Sequence, residues 1–289
     1  MVTYFTDTDT DFTPADAEKY GFKLISMPYC IGDKTIYPYI DFETFDMKGF
    51  YDSLRNGVTP STCGLSKETY IDYFEPEFKK GNDVFYVHFS AAMSSTFDFM
   101  HLAINELKEK YPERKFYELD TKGISINSLG IIYEIGDMVL AGKTPEEILK
   151  WSETEVDKFA TYFFANDLSF FKRTGRVSGL GAVFGTLLGI KPIIYMNSEG
   201  KMVSIGKEKG KIKAMNRLLQ YMEDLGDDIK NHRVLVAHAD CADDMEIFIK
   251  KAKEKFGDDL NITLVPVNPT AGSHCGPSSA GVCFHAIHR

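Results

Sequence analysis

The chain has 289 residues, 44% of them hydrophobic and 26% charged, which is ordinary globular composition with length for one large domain or two smaller ones. Its formal net charge of -9, from 42 acidic against 33 basic residues with no basic run, argues against nucleic acid as the main partner. The opening MVTYFTDTDTDFTP lacks a basic segment followed by an apolar one, and apolar stretches such as Met138 to Ala141 and Ile193 to Met196 fall far short of a membrane span, so a cytoplasmic protein is expected. Cys30, Cys63, Cys241, Cys275 and Cys283 are odd in number, irregular in spacing and without a CxxC, which indicates neither a disulfide framework nor a zinc knuckle. The 22 Phe and 15 Tyr exceed what a core alone calls for, and such a surplus can line an apolar pocket.

In chain order, Val2 to Phe5 reads as a strand running into a polar loop. Thr13-Pro14 then caps a helix over Pro14 to Tyr20, stopped by Gly21. A strand is expected from Phe22 to Ile31, a turn at Gly32-Asp33, and a further strand at Thr35 to Tyr37. Helices follow over Asp46 to Asn56 and from Ser66 to Lys80. The compact run VFYVHF reads as a buried strand, leading through SAAMSST into a helix that reaches Lys110. Lys115 to Leu119 is a strand. Helices are expected from Asn127 to Leu140 and from Thr144 to Lys158, the second opened by the cap and acidic first turn of Thr144-Pro145-Glu146-Glu147.

Composition shifts after Phe164, where FKRTGRVSGLGAVFGTLLGIKP is Gly-rich and basic. Beyond it come strands at Ile193 to Tyr195 and Met202 to Lys207, a helix over Ile212 to Asp224, a strand at Val234 to Ala239, a helix over Asp243 to Lys255 and a strand at Ile262 to Val267. Strands alternating with helices of this length imply βαβ units and an α/β fold with mainly parallel sheets. The expected division is an N-terminal lobe over 1–160 and a C-terminal lobe over 161–289.

Three polar loops abut predicted strands, where open sheets place their ligands. Thr59-Pro60-Ser61-Thr62-Cys63 offers hydroxyls and amides to an anion, although ending a loop and capping a helix explains it more simply. Ser94, Ser95 and Thr96 stand between a strand and a helix, and are able to present hydroxyls and helix N-terminal amides to a carboxylate or phosphate. Neither GxxxxGK[ST], GxGxxG nor GxSxG occurs, so no nucleotide cofactor or nucleophile elbow is indicated. In His274-Cys275-Gly276-Pro277 the histidine is a candidate hydrogen-bond donor or acid/base, against the plainer reading of a packed side chain. Adjacent side chains diverge, so His274 and Cys275 are not a thiol-imidazole pair. Arg173 and Arg176 are able to hold an anion or to be ordinary solvated cations. Asp7, Asp9 and Asp11 alternate like the first ligands of a calcium loop, but Phe12 stands where that loop needs glycine.

Taken in order, YFTDTDTDFTPADAEKYGFKLISMPYCIGDK, TPSTCGLS, HFSAAMSSTF, FFKRTGRVSG with LLGIKPI, and the closing HCGPSSAGV resemble the DegV family of fatty-acid-binding proteins over almost the whole chain. The resemblance implies a two-lobed α/β protein, each lobe a mainly parallel or mixed sheet flanked by helices, with an acyl chain buried in a cleft. It implies that Thr62, Ser94 and His274 meet the ligand carboxylate, with Ser95, Thr96 and Gly276 in the same loops and Arg173 near the head-group opening. It implies no catalytic residue, no cofactor and no metal. The partners it implies are a long-chain fatty acid and a separate fatty acid kinase catalytic subunit that converts the presented carboxylate to an acyl phosphate, with transient contact at a membrane surface. Cys63 and Gly64 replace the Ser-Gln that often follows the head-group threonine, Ala91, Ala92 and Ser95 replace Ser and Gly, and Thr174 follows Arg173 where Gly is usual. Two readings compete: an enzyme acting on a small carboxylate or phosphorylated metabolite through Arg173, Arg176 and His274, and a partner-binding protein whose pocket is vestigial.

Overall fold

The computed structural model describes residues 1–179 and 189–289. The centre of the Gly-rich stretch, 180–188, lies outside the described residues, and so does the part of LLGIKPI that falls in it. Four strands, β1 (Val2–Asp7), β2 (Phe22–Ile25), β6 (Asp83–His88) and β7 (Phe116–Asp120), form a wholly parallel sheet in the order β2-β1-β6-β7. Helix α1 (Pro14–Tyr20) makes the crossover between β1 and β2. It starts with the capping box of Thr13 and Asp16 and ends at Gly21, whose φ of 72° a side chain would resist.

The strand expected over Phe22 to Ile31 is broken. Pro28 has no N–H to give a ladder, and the backbone beside it is diverted: Met27 N–H donates to Thr8 Oγ1 at 2.9 Å and Ser26 Oγ donates to the Pro38 carbonyl at 2.7 Å. The chain resumes as β3 (Tyr29–Ile31), which pairs with β4 (Lys34–Ile36) and with the two-residue β5 (Ser61–Thr62) in a small antiparallel sheet. That sheet carries Thr62. Helices α2 (Met47–Arg55), α3 (Lys67–Lys79), α4 (Thr96–Lys110) and α6 (Pro145–Glu155) lie within a few residues of their expected spans.

Helix α5 (Ile126–Leu140) is the joint of the molecule. Its first seven residues are all buried, as are Ile135 and Gly136, as a helix apolar around its circumference requires. It packs in one cluster with Phe85, Val87 and Leu119 of the parallel sheet and with Leu235, Ala237 and Cys283 of the second sheet. Asn127 Nδ2 ties it to that sheet, donating to the Phe159 carbonyl and Thr161 Oγ1, both at 2.8 Å. Gly136 is the close-approach point, because a Cβ there would sit 2.5 Å from Tyr20 Cδ1.

The second sheet has seven strands in the order β13-β12-β14-β8-β10-β11-β9. They are β8 (Phe159–Phe164), β9 (Val177–Ser178), β10 (Ile190–Met196), β11 (Met202–Lys209), β12 (Val234–His238), β13 (Ile262–Pro266) and β14 (Ala280–His285). Only β12 with β13 and β11 with β9 run parallel; the other neighbours are antiparallel, so this sheet is mixed. The central strands β8 and β14 are absent from the sequence-based expectation. All six residues of β14 and five of six in β8 are buried, so neither shows alternation, and a short apolar run has no period to reveal it. Helices α8 (Lys211–Leu225) and α9 (Ala242–Phe256) cover one face, while the short α7 (Leu168–Thr174) and α10 (Pro269–Cys275) stand at its end.

Candidate functional site: a cavity with one polar end

A cavity of about 230 Å³ opens between the small sheet, the start of α4, helix α10 and the second sheet. That is many times the roughly 10–15 Å³ that holds one water, which makes it ligand-sized. Met27, Phe89, Met93, Phe163, Phe171 and Val267 supply apolar wall, and Thr62, Ser94, Ser95, Arg176 and His274 a polar one.

Thr62 and His274 come from segments 212 residues apart, yet Thr62 Oγ1 lies 3.2 Å from His274 Nε2. Asn268 caps α10 by accepting from the Ala271 N–H, and Pro269 is its first residue, which sets the helix start about one and a half turns before His274. The other imidazole nitrogen, Nδ1, is buried without a hydrogen-bond partner. Burial, with Arg176 and Arg173 adding to it, pushes the His274 pKa down to about 4, so the ring is neutral at physiological pH. A neutral imidazole and hydroxyls present a carboxylate with hydrogen bonds without adding a fixed charge of their own to desolvate.

Ser94 Oγ accepts from the Thr96 N–H at 3.2 Å and Ser95 stands at the start of α4, both in the cavity wall. Thr96 is placed differently. It is 1% exposed, its Oγ1 accepts from the Leu65 N–H at 2.9 Å and meets Tyr70 Oη at 3.0 Å, and it does not line the cavity. It fastens the segment after Thr62 to the start of α4, so it positions both hydroxyl loops. Gly64 permits this contact, since a Cβ there would lie 3.2 Å from Thr96 Cβ.

Arg173 also stands outside the cavity lining. It is exposed, donates to the Ser273 carbonyl at 3.4 Å and lies over the Phe170 ring at 5.1 Å. Arg176, which the sequence offered beside Arg173 as a candidate to hold an anion, is the arginine in the wall. Gly276 ends α10 with φ 70° and ψ 171°, a region open essentially to glycine alone, and serves by turning the chain after His274. Cys275 lines the cavity as a neutral thiol, pushed up by burial to about 12.

The alternating aspartates are internal hydrogen-bond acceptors. Asp7 accepts from Tyr86 Oη at 3.0 Å, from the Phe89 N–H at 3.3 Å and from the Asp9 N–H at 3.1 Å. Asp11 accepts from the Asn268 N–H and Nδ2 at 2.9 and 2.7 Å, and from Ser125 Oγ. Burial raises the Asp7 pKa to about 7 and that of Asp11 to about 6. Asp9 is raised well above the ordinary value by burial first and by Asp7 next, and it reaches the cavity wall. Sequence reasoning reads this alternation only as a fragment of a calcium loop. Thr270, also in the wall, lies on a helix that carries no clear sequence signal.

Among the described residues no helix is long and apolar enough to cross a membrane. Residues 2–286 match the family model described as an uncharacterised protein of the DegV family. A DegV domain-containing protein of Clostridium perfringens (strain 13 / Type A) is 32% identical over 282 residues, covering 97% of this chain and 96% of its own. Among solved structures, a stearic-acid-binding protein from Eubacterium ventriosum superposes with a TM-score of 0.86 at 20% identity, covering 99% of this chain and 98% of that one. DegV of Bacillus subtilis, a fatty acid binding protein, superposes at 0.82 with 22% identity, covering 99% of each chain. By the family match and the relative at 32% identity, the chain belongs to the DegV family.

Proposed function

We propose that this protein binds a long-chain fatty acid in the cavity and presents its carboxylate, between Thr62, Ser94, Ser95 and His274, to a separate fatty acid kinase. The observation that carries this reading is the Thr62–His274 pair, 3.2 Å apart, in the wall of a cavity that Met27, Phe89, Met93, Phe163, Phe171 and Val267 also line. Each methylene taken from water contributes roughly 0.8 kcal/mol, so the tail supplies most of the affinity and the polar end supplies orientation. The fatty acids bound by the Eubacterium ventriosum and Bacillus subtilis proteins support the ligand class. On this reading the chain is a carrier that catalyses nothing itself and works in the cytoplasm, with transient contact at a membrane surface. Exposed Arg173 and wall-lining Arg176 give positive charge where an acyl phosphate would form. A division into two lobes belongs to the same proposal, with its boundary moved from 160/161, which falls inside β8 (Phe159–Phe164), to just before Phe159, where the mixed sheet begins.

Mass spectrometry of lipid extracted from the purified protein tests the ligand class. A long-chain fatty acid is expected, and recovery of no lipid together with no uptake of any fatty acid overturns the reading. Thr62→Val, Ser94→Ala and His274→Ala should each weaken fatty acid binding by about tenfold or more, as loss of a hydrogen bond to a charged group does. Kinase presentation is tested by incubating the loaded protein with a fatty acid kinase catalytic subunit and ATP. Acyl phosphate should form only with both proteins present, and its formation by either one alone refutes the division of labour.

A further inference from the structure

The wall of the cavity carries a thiol pair that fatty acid binding does not use. Thr62 and Cys63 line the cavity while Ser61 beside them is exposed, so this short stretch of the small sheet stands between the ligand and solvent. Few bonds hold it to β3. Tyr29 lies opposite Thr62 and Cys30 opposite Ser61, and the Cys63 N–H reaches the Pro28 carbonyl at 3.3 Å. Pro28 has no N–H with which to return a bond, so the ladder ends there. Residues two apart along a strand share a face, which puts Cys63 diagonally across from Cys30. The two sulfurs are 2.7 Å apart. A disulfide holds its sulfurs at about 2.05 Å, so bonding needs a movement of only about 0.7 Å and leaves Thr62 facing His274. The other three cysteines are engaged or hidden: Cys241 and Cys275 donate to the Ser279 and Gly276 carbonyls, both at 3.6 Å, and Cys283 is buried.

We infer that Cys30 and Cys63 are a redox latch on the fatty acid site: a low-molecular-weight disulfide such as oxidised glutathione links them, and the linked form holds its ligand longer. The inference rests on the fatty-acid reading above and adds its regulation. Partial burial and then the neighbouring Cys30 push the Cys63 thiol up to about 11, so it is protonated at physiological pH. Cys30 Sγ also lies 3.5 Å from Oγ1 of the exposed Thr35, which makes Cys30 the sulfur that a soluble disulfide reaches first. Its thiolate attacks one sulfur of the reagent, forming a mixed disulfide and releasing one glutathione. Cys63 then attacks the Cys30 sulfur and releases the second. Two electrons pass from the cysteine sulfurs to those of the reagent, and the two thiol protons end on the two reduced glutathiones. The new bond fastens the wall at the point where the ladder stops. Thr62 is then fixed opposite His274, so the cost of ordering the polar end is met before the ligand arrives, and the wall no longer parts to let it go.

The test is the release rate of a fluorescent long-chain fatty acid from the full-length protein, chased with excess hexadecanoic acid, after treatment with dithiothreitol or with oxidised glutathione. Mass spectrometry of proteolytic fragments should find Cys30 linked to Cys63, and the linked form should release the probe about tenfold more slowly. Dithiothreitol should restore the faster rate. Cys30→Ser should abolish both the link and the difference while releasing the probe at the rate of the reduced parent, since Cys30 does not line the cavity. A linked form that releases the probe as fast as the reduced one, or faster, overturns the latch and leaves the fatty-acid reading standing. Failure of the link to form at any ratio of oxidised to reduced glutathione also overturns the latch, as does a rate difference that persists in Cys30→Ser. Binding of no probe by either form overturns the fatty-acid reading and the latch with it.

Discussion

Asp7 allows the buried acid seam to be tested independently of any ligand. Its side chain is fully buried, and burial outweighs the hydrogen bonds from Tyr86, Phe89 and Asp9 and the attraction of His88, so its pKa rises from 3.8 to about 7. A carboxyl whose folded pKa lies above its unfolded value binds more protons when folded. Its stabilising contribution is therefore complete below about pH 4 and is lost as pH climbs through 7. A rise of that size is worth about 4 kcal/mol across the whole window, of which about 3 kcal/mol falls between about pH 5 and pH 8. Asp7→Asn removes the titration and keeps the shape. The amide has one acceptor oxygen where the carboxyl uses two, so the variant should be less stable at low pH by about 1–3 kcal/mol. Urea unfolding of both proteins near each end of the window gives the difference between them, in which titrating groups not coupled to Asp7 cancel, while Asp9 and His88, which interact with its charge, add to the difference. His274 is one that must cancel, because its pKa is lowered and its contribution runs the other way, being lost as pH falls from 6.5 toward 4. The variant should gain about 3 kcal/mol on the parent between about pH 5 and pH 8. Parallel stability curves, with a difference independent of pH, would refute the reasoning.

Gly276→Ala forces a side chain into a glycine-only backbone region and against the Phe170 ring; chemical denaturation should show a loss of about 2–5 kcal/mol, combining backbone strain and overpacking. Arg289 is buried and donates to the carbonyls of Thr121, Lys122 and Val156, so Arg289→Met should leave those acceptors unmatched and cost about 2–4 kcal/mol by the same measurement. Cys30 and Cys63 are free thiols whose sulfurs lie 2.7 Å apart across the small sheet. Treatment with oxidised glutathione should convert the pair to a disulfide, releasing two reduced glutathiones, with a mass loss of two hydrogens mapping to these cysteines. Closing that loop should stabilise the chain by roughly 3–4 kcal/mol.

Most of the chain before Phe159 was legible because its signals are local. Thr13 and Thr144 form the capping boxes their sequences announce, and VFYVHF is the buried strand its composition indicates. The failures have physical causes. Pro28 breaks a run that otherwise reads as one strand. The unbroken burial of β8 and β14 erases the period that marks a strand, and α10 is a seven-residue helix whose Pro269 and Asn268 look like loop residues until the cap is seen. At the site, the sequence found Thr62, Ser94, Ser95 and His274 in one wall. It placed Thr96 and Gly276 there too, because it read loops and could not tell a hydroxyl facing a cavity from one spent on Leu65 and Tyr70. Asp9 could not be separated from Asp7 and Asp11 by spacing, since what distinguishes it is its place in the cavity wall.

The site's position explains why so much of it escaped local reading. Its polar groups come from distant parts of the chain, and its two ends are tied together: Asp11, two residues past Asp9, is bound by Asn268, 257 residues away, and Asn268 is the cap of the helix that bears Thr270 and His274. The same asparagine also donates to the Asp9 carbonyl at 3.2 Å. Until α10 is held against the first loop, Thr270 and His274 are missing from the polar wall that Thr62, Ser94 and Ser95 begin, so the ligand recognises the closed chain. Binding to the folded form alone stabilises it by mass action.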